Sequence, residues 1–263
     1  MSLKNKILLQ GKTDTGLVRD HNEDVVGCDA DIALAVLADG MGGHRCGEMA
    51  SAITVSTILE LVTSESIANS DVSHLLHKAI TQANTNVRHA SKENAQYRDM
   101  GTTIVATLFY DNHFTVAHVG DSRLYRLRND QLEQLTCDHS FVQEQVELGL
   151  QTAEQAKNSP NKNLITRAIG IDDYVQIDIQ KGITMIDDIY LLCSDGVNDM
   201  IDDQTIKNIL VENSNDLEQA TAEIILQANL QGGNDNISVI LAKPVKPFPA
   251  EDGILSRLSS LFS

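Results

Sequence analysis

The amino-acid sequence predicts an α+β fold, with strands in antiparallel groups and helices that are segregated from them. Two helical segments follow one another after residue 47, and groups of strand-like segments lie on either side of them. The strict alternation of strand and helix that indicates a parallel sheet does not occur. A chain of 263 residues is long enough for a sizeable core, in one large domain or two small ones.

The first group of strands is predicted between residues 7 and 38, as the segments ILLQGKT, LVRD and IALAVLA. The last segment holds seven consecutive apolar residues (32–38), which is typical of a strand buried on both faces. A helix is then predicted from Gly47, where apolar residues recur with a helical period. A second helix is predicted to begin at Ser70 or Asp71, either of which can act as its N-cap.

A second group of strands is predicted in TTIVATLFY, HFTVAHVGDS and RLYRLRNDQLEQL, and Asp111-Asn112 between the first two indicates a hairpin turn. Residues 138–167 are polar and helix-like without a continuous apolar run, which indicates an insertion packed over the body. Strands resume in YVQIDIQKG and DIYLLCSDG. Helices are predicted at 204–212 and 217–229, before a last strand, NISVILAKPV, and a proline-containing linker with a short apolar tail.

The charge balance restricts the kind of partner. The chain has 37 acidic and 20 basic residues, a formal net charge of −17, so the phosphates of nucleic acids and of anionic membranes would be repelled. The acidic excess is compatible with bound cations and also with an ordinary solvated surface. The four cysteines form no CxxC pair, the N-terminus does not read as a signal peptide, and no apolar run of about 18 residues occurs. We therefore expect a cytoplasmic protein without a membrane span.

Five aspartates lie at the ends of predicted strands that are far apart in sequence. Each would be an ordinary turn residue if it stood alone, because Asp beside Gly favours turns. If the strand ends converge, mutual repulsion would hold several carboxylates protonated unless divalent cations lie between them. Oxygen ligands select hard cations such as Mg²⁺, Mn²⁺ or Ca²⁺. The five residues are Asp24, Asp39, Asp121, Asp195 and Asp235.

The glycine-rich segment DGMGG fits a metal site better than a nucleotide site. A dinucleotide-binding loop that began at Gly40 would need glycine at position 45, where the chain has Arg45. A phosphate-binding loop that began at Gly42 would need Lys and then Ser or Thr, where the chain has Glu48 and Met49. Gly40 instead allows a turn tight enough for its own carbonyl to serve as a ligand.

Eight segments resemble, in order and in spacing, the motifs of bacterial metal-dependent protein phosphatases of type 2C, the PPM family. They are RDHNED, LADGMGGHRCGEMAS, GTTIVATLF, VAHVGDSRLYRL, DHSFVQEQVELG, LITRAIG, LLCSDGVNDMI and GGNDNISVI, and the match extends from about residue 8 to residue 242. The resemblance implies a four-layer α-β-β-α sandwich, in which two antiparallel sheets lie between helices. It also implies a catalytic domain over residues 1–243 with a flap subdomain at about 138–168, followed by a linker and tail over 244–263.

The same resemblance implies two Mn²⁺ or Mg²⁺ ions, or three in bacterial members, and assigns ligands to them. Asp39 would bridge two ions, and Gly40 would give its carbonyl to one of them. Asp195 and Asp235 would complete the inner ligands. Asp24 would act mostly through bound water.

Two further roles follow from the resemblance, and one stays open. Asp121 would help to hold the third ion, and Arg19 would bind the phosphate of the substrate. The proton donor is undecided, because this chain has Met41 where animal members have a histidine that is a proposed general acid. Bacterial members commonly share the methionine. His44 is one candidate for the donor, and metal-bound water is another.

The chain is therefore expected to be a hydrolase of bacterial signalling, a protein-serine/threonine phosphatase. The expected reaction is hydrolysis of phosphoserine or phosphothreonine by a water activated between two metal ions, without a covalent intermediate. The expected partners are phosphorylated proteins and a cognate serine/threonine kinase that the enzyme opposes, and the chain is expected to be a monomer. The alternative is a catalytically silent scaffold of the same fold that binds phosphoproteins or a kinase.

Overall fold

Two antiparallel sheets form the centre of the fold in the computed structural model, which describes residues 3, 5–42, 46–65 and 71–249. The first sheet has the strand order β1 (Ile7–Asp14), β11 (Ile237–Pro244), β10 (Ile189–Cys193), β7 (Arg123–Arg128) and β8 (Gln131–Gln134). The second sheet has the order β2 (Asp24–Asp29), β3 (Leu34–Met41), β5 (Ile104–Tyr110), β6 (His113–Val119) and β9 (Asp178–Ile183), with β4 (Gly101–Thr102) paired to β3.

Helices cover the outer faces of both sheets. The pair α1 (Cys46–Ser64) and α2 (Val72–Glu93) packs on the second sheet, and the pair α6 (Asp203–Glu212) and α7 (Leu217–Leu230) packs on the first. The other described helices are short: α3 (Phe141–Glu147), α4 (Ala153–Lys157), α5 (Asp195–Asn198) and a 3-10 helix at Ala95–Tyr97. A third apolar cluster fills the space between the two sheets. The four-layer α-β-β-α arrangement expected from the sequence is confirmed.

Strand β3 shows why its sequence is apolar at every position. Leu34, Val36 and Ala38 pack toward the helices, whereas Ala35 and Leu37 pack between the sheets. A strand that is buried on both faces therefore has no solvent side. Complete burial of each large apolar side chain stabilises the fold by about 1.5–3 kcal/mol. This well-anchored strand carries the chain directly to the edge of the sandwich.

Local signals located several boundaries correctly. Asp71 is the N-cap of α2, and its side chain accepts the Ser73 N–H at 3.0 Å. Asp111 and Asn112 form the turn between β5 and β6 with φ values of 45° and 55°. A two-residue hairpin of this kind needs positive φ at both positions, which Asp and Asn tolerate. Helices α6 and α7 begin within one residue of their predicted starts.

The predicted strand LVRD is wrong. Leu17 is exposed and lies in a turn, where its N–H donates to the Gly233 carbonyl at 2.8 Å. The strand in this part of the chain is β2, whose sequence DVVGCD has too weak an apolar pattern to indicate it. Gly27 in the middle of β2 is needed for packing, because a Cβ there would lie 2.7 Å from Val55 of α1.

Two other predicted strands are shorter than expected. RLYRLRNDQLEQL is a hairpin of β7 and β8 rather than one strand, because Asn129 and Asp130 adopt φ values of 49° and 56° and form a turn. In YVQIDIQKG, strand pairing begins only at Asp178, which lies opposite His118 of β6.

The segment predicted as a flap, residues 138–168, leaves the body and returns to it at nearly the same point. Ser140 and Ile165 form an isolated β-bridge, and the Thr166 N–H donates to the His139 carbonyl at 2.8 Å. Helices α3 and α4 lie between these paired ends. The segment is thus a closed excursion, while its role toward substrates stays a prediction.

The chain after the last strand stays on the body as far as it is described. Phe248 is buried in the cluster between the sheets, and its N–H donates to Asn112 Oδ1 at 2.7 Å. The domain boundary at residue 243 stays a prediction. The apolar tail that the sequence places at residues 254–262 lies outside the described residues.

Helix α1 is the one helix in the described part of the chain that is long and apolar enough by composition to cross a membrane. In the fold it packs against β3, β2 and α2, and residues such as Ile58 and Val62 are fully buried there. Its place in a protein core is sufficient to explain its apolar composition.

Candidate metal centre

The five aspartates singled out in the sequence come together at one edge of the sandwich. Asp24 and Asp39 face each other in the register of β2 and β3. Asp121 follows β6, Asp195 follows β10 at the start of α5, and Asp235 precedes β11. All but Asp24 line one cavity of about 260 Å³, and Asp24 lies next to it as the strand partner of Asp39. Both sheets therefore contribute carboxylates to one site.

Burial and mutual repulsion make these carboxylates difficult to ionise. Burial raises the pKa of Asp39 and of Asp195 well above the ordinary value, and repulsion from the neighbouring aspartates raises it further. Burial likewise raises the pKa of Asp24 and of Asp121 to about 6. Buried carboxylates that repel one another are unfavourable as anions unless positive charge neutralises them.

Three buried carboxylate oxygens at the site receive no hydrogen bond from any residue that the structure describes. They are Asp24 Oδ1, Asp195 Oδ1 and Glu23 Oε1. A buried polar atom without a partner costs roughly 1–3 kcal/mol. A hard divalent cation takes oxygen ligands of this kind and would also remove the repulsion. The residues present therefore fit a magnesium or manganese site.

Gly40 is required by the packing of the backbone beside the site. A Cβ at this position would collide with the Gly47 carbonyl oxygen and lie 2.6 Å from the Glu23 carbonyl oxygen. The Gly40 N–H donates to that same Glu23 carbonyl at 3.1 Å. The close approach seats the start of α1 against the end of β3.

Hydroxyl groups that the sequence analysis did not identify hold two of the aspartates. Thr103 Oγ1 accepts the Asp39 N–H at 3.1 Å and lies 2.7 Å from Ser122 Oγ. Ser194 Oγ donates to Asp24 Oδ2 at 2.8 Å. Thr103 and Ser194 lie inside the GTTIVATLF and LLCSDG segments, and their place in these motifs was the only signal in the sequence that could have identified them. These bonds fix the backbone and side chains from which the site is built.

Arg19 lies at the mouth of the cavity, with its side chain half exposed. Its Nη2 donates to Asp235 Oδ2 at 2.7 Å. Partial burial works against the charge of Arg19, but attraction from Asp235, Glu23 and Asp195 outweighs it and raises the pKa of the guanidinium. A guanidinium carries five N–H donors in a fixed plane, so it can bind a second anion beside Asp235.

Asn236 holds the loop that carries Arg19, and the sequence analysis did not identify it. Its Oδ1 accepts the Glu23 N–H at 2.8 Å, and its Nδ2 donates to the carbonyls of Thr15 and His21 at 2.9 Å each. One side-chain amide thus joins three points of the same loop. Asn236, which directly follows Asp235, therefore positions the loop that carries Arg19.

The flap borders the same cavity. Asn163 and Ile165 are among its lining residues. A second cavity of about 470 Å³ continues from Asp121 and Asp195 beneath α3 and α4. The cavity therefore lies between the aspartate edge on one side and the flap on the other. His44, the candidate proton donor, lies outside the described residues.

The chain is similar to known proteins along most of its length. Residues 16–232 match the family described as Protein phosphatase 2C. The chain is 35% identical over 237 residues to the serine/threonine phosphatase stp of Listeria innocua serovar 6a, a match that covers 88% of this chain and 94% of that protein. It is 36% identical over 233 residues to the protein phosphatase PhpP of Streptococcus pneumoniae serotype 2, covering 87% of this chain and 94% of that protein.

Solved structures share the fold. The crystal structure of the Mycobacterium tuberculosis serine/threonine phosphatase PstP/Ppp matches with a TM-score of 0.85 and 34% identity, over 91% of this chain and 99% of that one. The catalytic domain of the serine/threonine protein phosphatase PstP in complex with 2 manganese ions matches with a TM-score of 0.83 and 35% identity, over 91% and 99% of the two chains.

Proposed function

This chain belongs to the protein phosphatase 2C family and is a serine/threonine protein phosphatase, and from that premise we propose how it works. It hydrolyses phosphoserine and phosphothreonine in proteins with two or three Mn²⁺ or Mg²⁺ ions, without a covalent intermediate. The observation that carries the proposal is the gathering of carboxylates from both sheets around one cavity, with buried oxygens that no described residue satisfies.

The proposed inner ligands are Asp39, Asp195 and Asp235 through their carboxylates and Gly40 through its carbonyl. When bound, the ions would lower the pKa of a water molecule, align it with phosphorus and offset charge on the phosphoryl oxygens. The chain contributes a fixed frame for them, because each of these residues lies at the end of a paired strand.

Asp24 and Asp121 have proposed outer roles. Asp24 lies beside the cavity rather than among its lining residues, and its Oδ2 accepts the Ser194 hydroxyl at 2.8 Å, so its remaining oxygen would reach the ions mostly through water. Asp121 is on a separate turn after β6 and lines both cavities, so it would hold a third ion toward the flap.

Arg19 is the proposed phosphate ligand. A phosphate monoester is a dianion at neutral pH, and a planar guanidinium can hold two of its oxygens at once. Arg19 is half exposed at the mouth of the cavity, so a phosphate can reach it from solvent. Its bond to Asp235 orients the guanidinium toward the carboxylates before the substrate binds.

The cysteines support a mechanism without a covalent enzyme intermediate. Of the residues that the structure describes as lining the cavity, none is a cysteine. Burial raises the pKa of Cys193 to about 12, so this thiol is a poor nucleophile at neutral pH, and the exposed Cys28 and Cys137 do not line the cavity. His44 stays the proposed proton donor, with water as the alternative.

The proposed partners are phosphorylated proteins and a serine/threonine kinase whose action this enzyme reverses. We propose a cytoplasmic monomer, which is compatible with a net charge of −17 and with free cysteines. The scaffold alternative is not favoured, because the relatives that match most of the chain are named phosphatases.

Phosphate release from a phosphothreonine peptide, measured with Mn²⁺ and with chelator, tests the proposal. We expect turnover that depends on Mn²⁺ in the wild type and none in Asp39→Asn. The exposed Asp172 provides a matched control, and Asp172→Asn should be as active as the wild type. Tight peptide binding without phosphate release under all conditions would support the scaffold instead.

A further inference from the structure

Two buried histidines lie beside the metal centre and outside its cavity. His118 of β6 and His139 at the start of the flap stack with ring centroids 4.7 Å apart and an interplanar angle of 16°. Each is only 5% exposed. Asp178 of β9 and Arg167 of the flap contact the outer side of His139. The group thus joins the second sheet to both ends of the flap.

His139 holds Gly120, the residue before Asp121, by two hydrogen bonds. The His139 N–H donates to the Gly120 carbonyl at 3.0 Å, and the Gly120 N–H donates to His139 Nδ1 at 3.1 Å. Gly120 has a φ of 105°, and a Cβ there would lie 2.6 Å from Thr103 Cγ2. The turn that carries Asp121 is therefore fixed between Thr103 on one side and His139 on the other.

The bond from the Gly120 N–H to Nδ1 determines where the ring proton of His139 lies. Because Nδ1 accepts an N–H, it carries no proton, and the proton of the neutral ring is on Nε2. Nε2 lies 3.3 Å from Asp178 Oδ2, and Arg167 Nη1 lies 3.0 Å from Asp178 Oδ1. The Asp178 carboxylate can thus accept from both groups, which fixes the tautomer that keeps Nδ1 free to hold Gly120.

A metal ion is a competing explanation for this cluster. Ligand atoms of His118, His139 and Asp178 lie within 4.8 Å of one another, which is close enough for one ion. However, Arg167 Nη1 lies 3.1 Å from His139 Nε2 and contacts the same carboxylate, so a permanent positive charge already lies where a cation would bind. With its proton on Nε2, the His139 ring does not accept from Arg167, and both groups instead donate to the Asp178 carboxylate, so a hydrogen-bonded clamp accounts for the cluster better than a metal site does.

The clamp also holds the base of the flap. The His139 carbonyl accepts the Thr166 N–H at 2.8 Å, next to Arg167. His118 Nε2 donates to the Cys137 carbonyl at 2.9 Å, and this bond fixes the residue that directly precedes the flap. A displacement of either flap end would therefore act on His139, and through it on Gly120 and the metal centre.

We infer that His139 is a positioning residue that couples the base of the flap to Asp121 and so sets the affinity with which Asp121 takes part in Mn²⁺ binding. This inference rests on the proposed function only in that Asp121 is taken as a metal ligand. The contacts between His139, Gly120 and Asp178 are independent of that assignment.

Two substitutions separate the bond to Gly120 from the rest of the side chain. His139→Asn places an amide oxygen near the position of Nδ1, where it can still accept the Gly120 N–H. His139→Gln places its amide near the position of Nε2, beyond reach of Gly120. In calorimetric titrations with Mn²⁺, we expect the weakest resolved binding step to lose about tenfold or more in affinity in His139→Gln. His139→Asn should stay close to the wild type.

A double-mutant cycle tests whether His139 acts through Asp121. Asp121→Asn should weaken the same Mn²⁺ step, and adding His139→Gln to it should cause no further loss. A purely structural role would instead lower the melting temperature and weaken binding equally in the Asn and Gln variants. Equal losses in those two variants, or losses that multiply in the double variant, would overturn the inference.

The exchange rate of the Gly120 amide, followed by NMR, separates failure of the inference from failure of the proposed function. The amide should be protected in the wild type and in His139→Asn, and should exchange faster in His139→Gln. If Asp121→Asn binds Mn²⁺ as the wild type does, the ligand assignment in the proposed function is wrong, and so is the claimed effect on affinity. Equal Gly120 exchange in the wild type and His139→Gln would mean that the clamp itself does not exist.

Discussion

The aspartate edge and the flap border the same cavity but are built in opposite ways. At the aspartate edge, each carboxylate stands at the end of a core strand that is paired with its neighbours. The flap has two short helices, and Leu148 and Leu150 between them are 70% and 68% exposed. Its described attachments to the body are the paired ends at its base and an ion pair between Lys162 Nζ and Asp199 Oδ2 at 2.7 Å.

Under the proposed function, this difference assigns the chemistry to the aspartate edge and contact with the protein substrate to the flap. A site that activates water needs ligands that do not move, and strands packed on both faces provide them. A surface that meets many phosphoproteins benefits from short helices and exposed apolar side chains. Changes at the aspartate edge should therefore affect every substrate, whereas changes in the flap should affect protein substrates selectively.

The largest effect is expected from a change at the aspartate edge. Asp39→Asn or Asp195→Asn should lower kcat by on the order of 10³-fold or more, because lost metal charge stabilisation amounts to several kcal/mol. Phosphate release from p-nitrophenyl phosphate and from a phosphopeptide should fall together. The metal-free variants should melt at the same temperature as the metal-free wild type or higher, since a repelling buried carboxylate is removed. A variant that loses activity only because it is unfolded would contradict this.

A second prediction concerns stability without metal. The folded-state pKa of Asp24 is about 6, above the ordinary value of 3.8, so its carboxyl group stabilises the metal-free fold at low pH. This contribution is present below about pH 4 and is lost as the pH rises through 6. Asn does not titrate, so the unfolding free energy of Asp24→Asn should rise relative to that of the wild type as the pH increases. The difference between the two proteins should grow by about 1–2 kcal/mol from pH 5 to pH 7.

Urea unfolding in chelator at pH 5, 6 and 7 measures this difference. Comparing the variant with the wild type removes the contribution of titrating groups away from Asp24, such as Asp173 and Asp178, whose pKa values are lowered by their partners. Asp39 and Asp195 repel Asp24, so their titration is part of the measured difference. A difference that is constant over this pH range would show that burial does not raise the pKa of Asp24 in the metal-free fold.

Arg19 should have an intermediate effect. Arg19→Ala should lower kcat/KM by about 10–100-fold, the equivalent of one charge-assisted hydrogen-bonded contact to phosphate. Arg19→Lys should retain part of the activity, since it keeps the charge but not the planar fork. Steady-state kinetics on a small ester and on a phosphopeptide should show similar losses. A loss restricted to the phosphopeptide would mean that Arg19 contacts the peptide rather than the phosphate.

The smallest effect is expected in the flap. The double variant Leu148→Ser and Leu150→Ser should lower kcat/KM for a phosphoprotein by about threefold and leave p-nitrophenyl phosphate hydrolysis unchanged. Leu226→Ser, at a half-exposed position on α7, is the matched control. If the small ester is affected as strongly as the protein substrate, the division of roles between the two regions is wrong.

The aspartates of the edge could be predicted from the sequence because the patterns that indicate them are local. An apolar run followed by Asp and Gly marks a strand end, as at Asp39 and Asp195, and the fold needed only to bring such ends together. Asp24 was also identified, although its strand was not, since Val25 and Val26 alone give little apolar pattern. The antiparallel pairing with β3 decides that this segment is a strand.

The supporting contacts could not be predicted, because they join residues that are far apart in sequence. The bond from Ser194 to Asp24 spans 170 positions, and the bond from Glu23 to Asn236 spans 213. A hydroxyl or amide inside a strand segment has many ordinary uses, so its type alone does not indicate a partner. His139 stands next to an aspartate in a polar segment, a pattern typical of a surface residue, yet tertiary packing buries it.

Anomalous diffraction from crystals grown in saturating Mn²⁺ tests the central claim most directly. We expect at least two manganese peaks in the cavity, each within coordination distance of carboxylate oxygens of Asp39, Asp195 or Asp235. A well-ordered structure in which these side chains surround the same cavity without any manganese peak would contradict it.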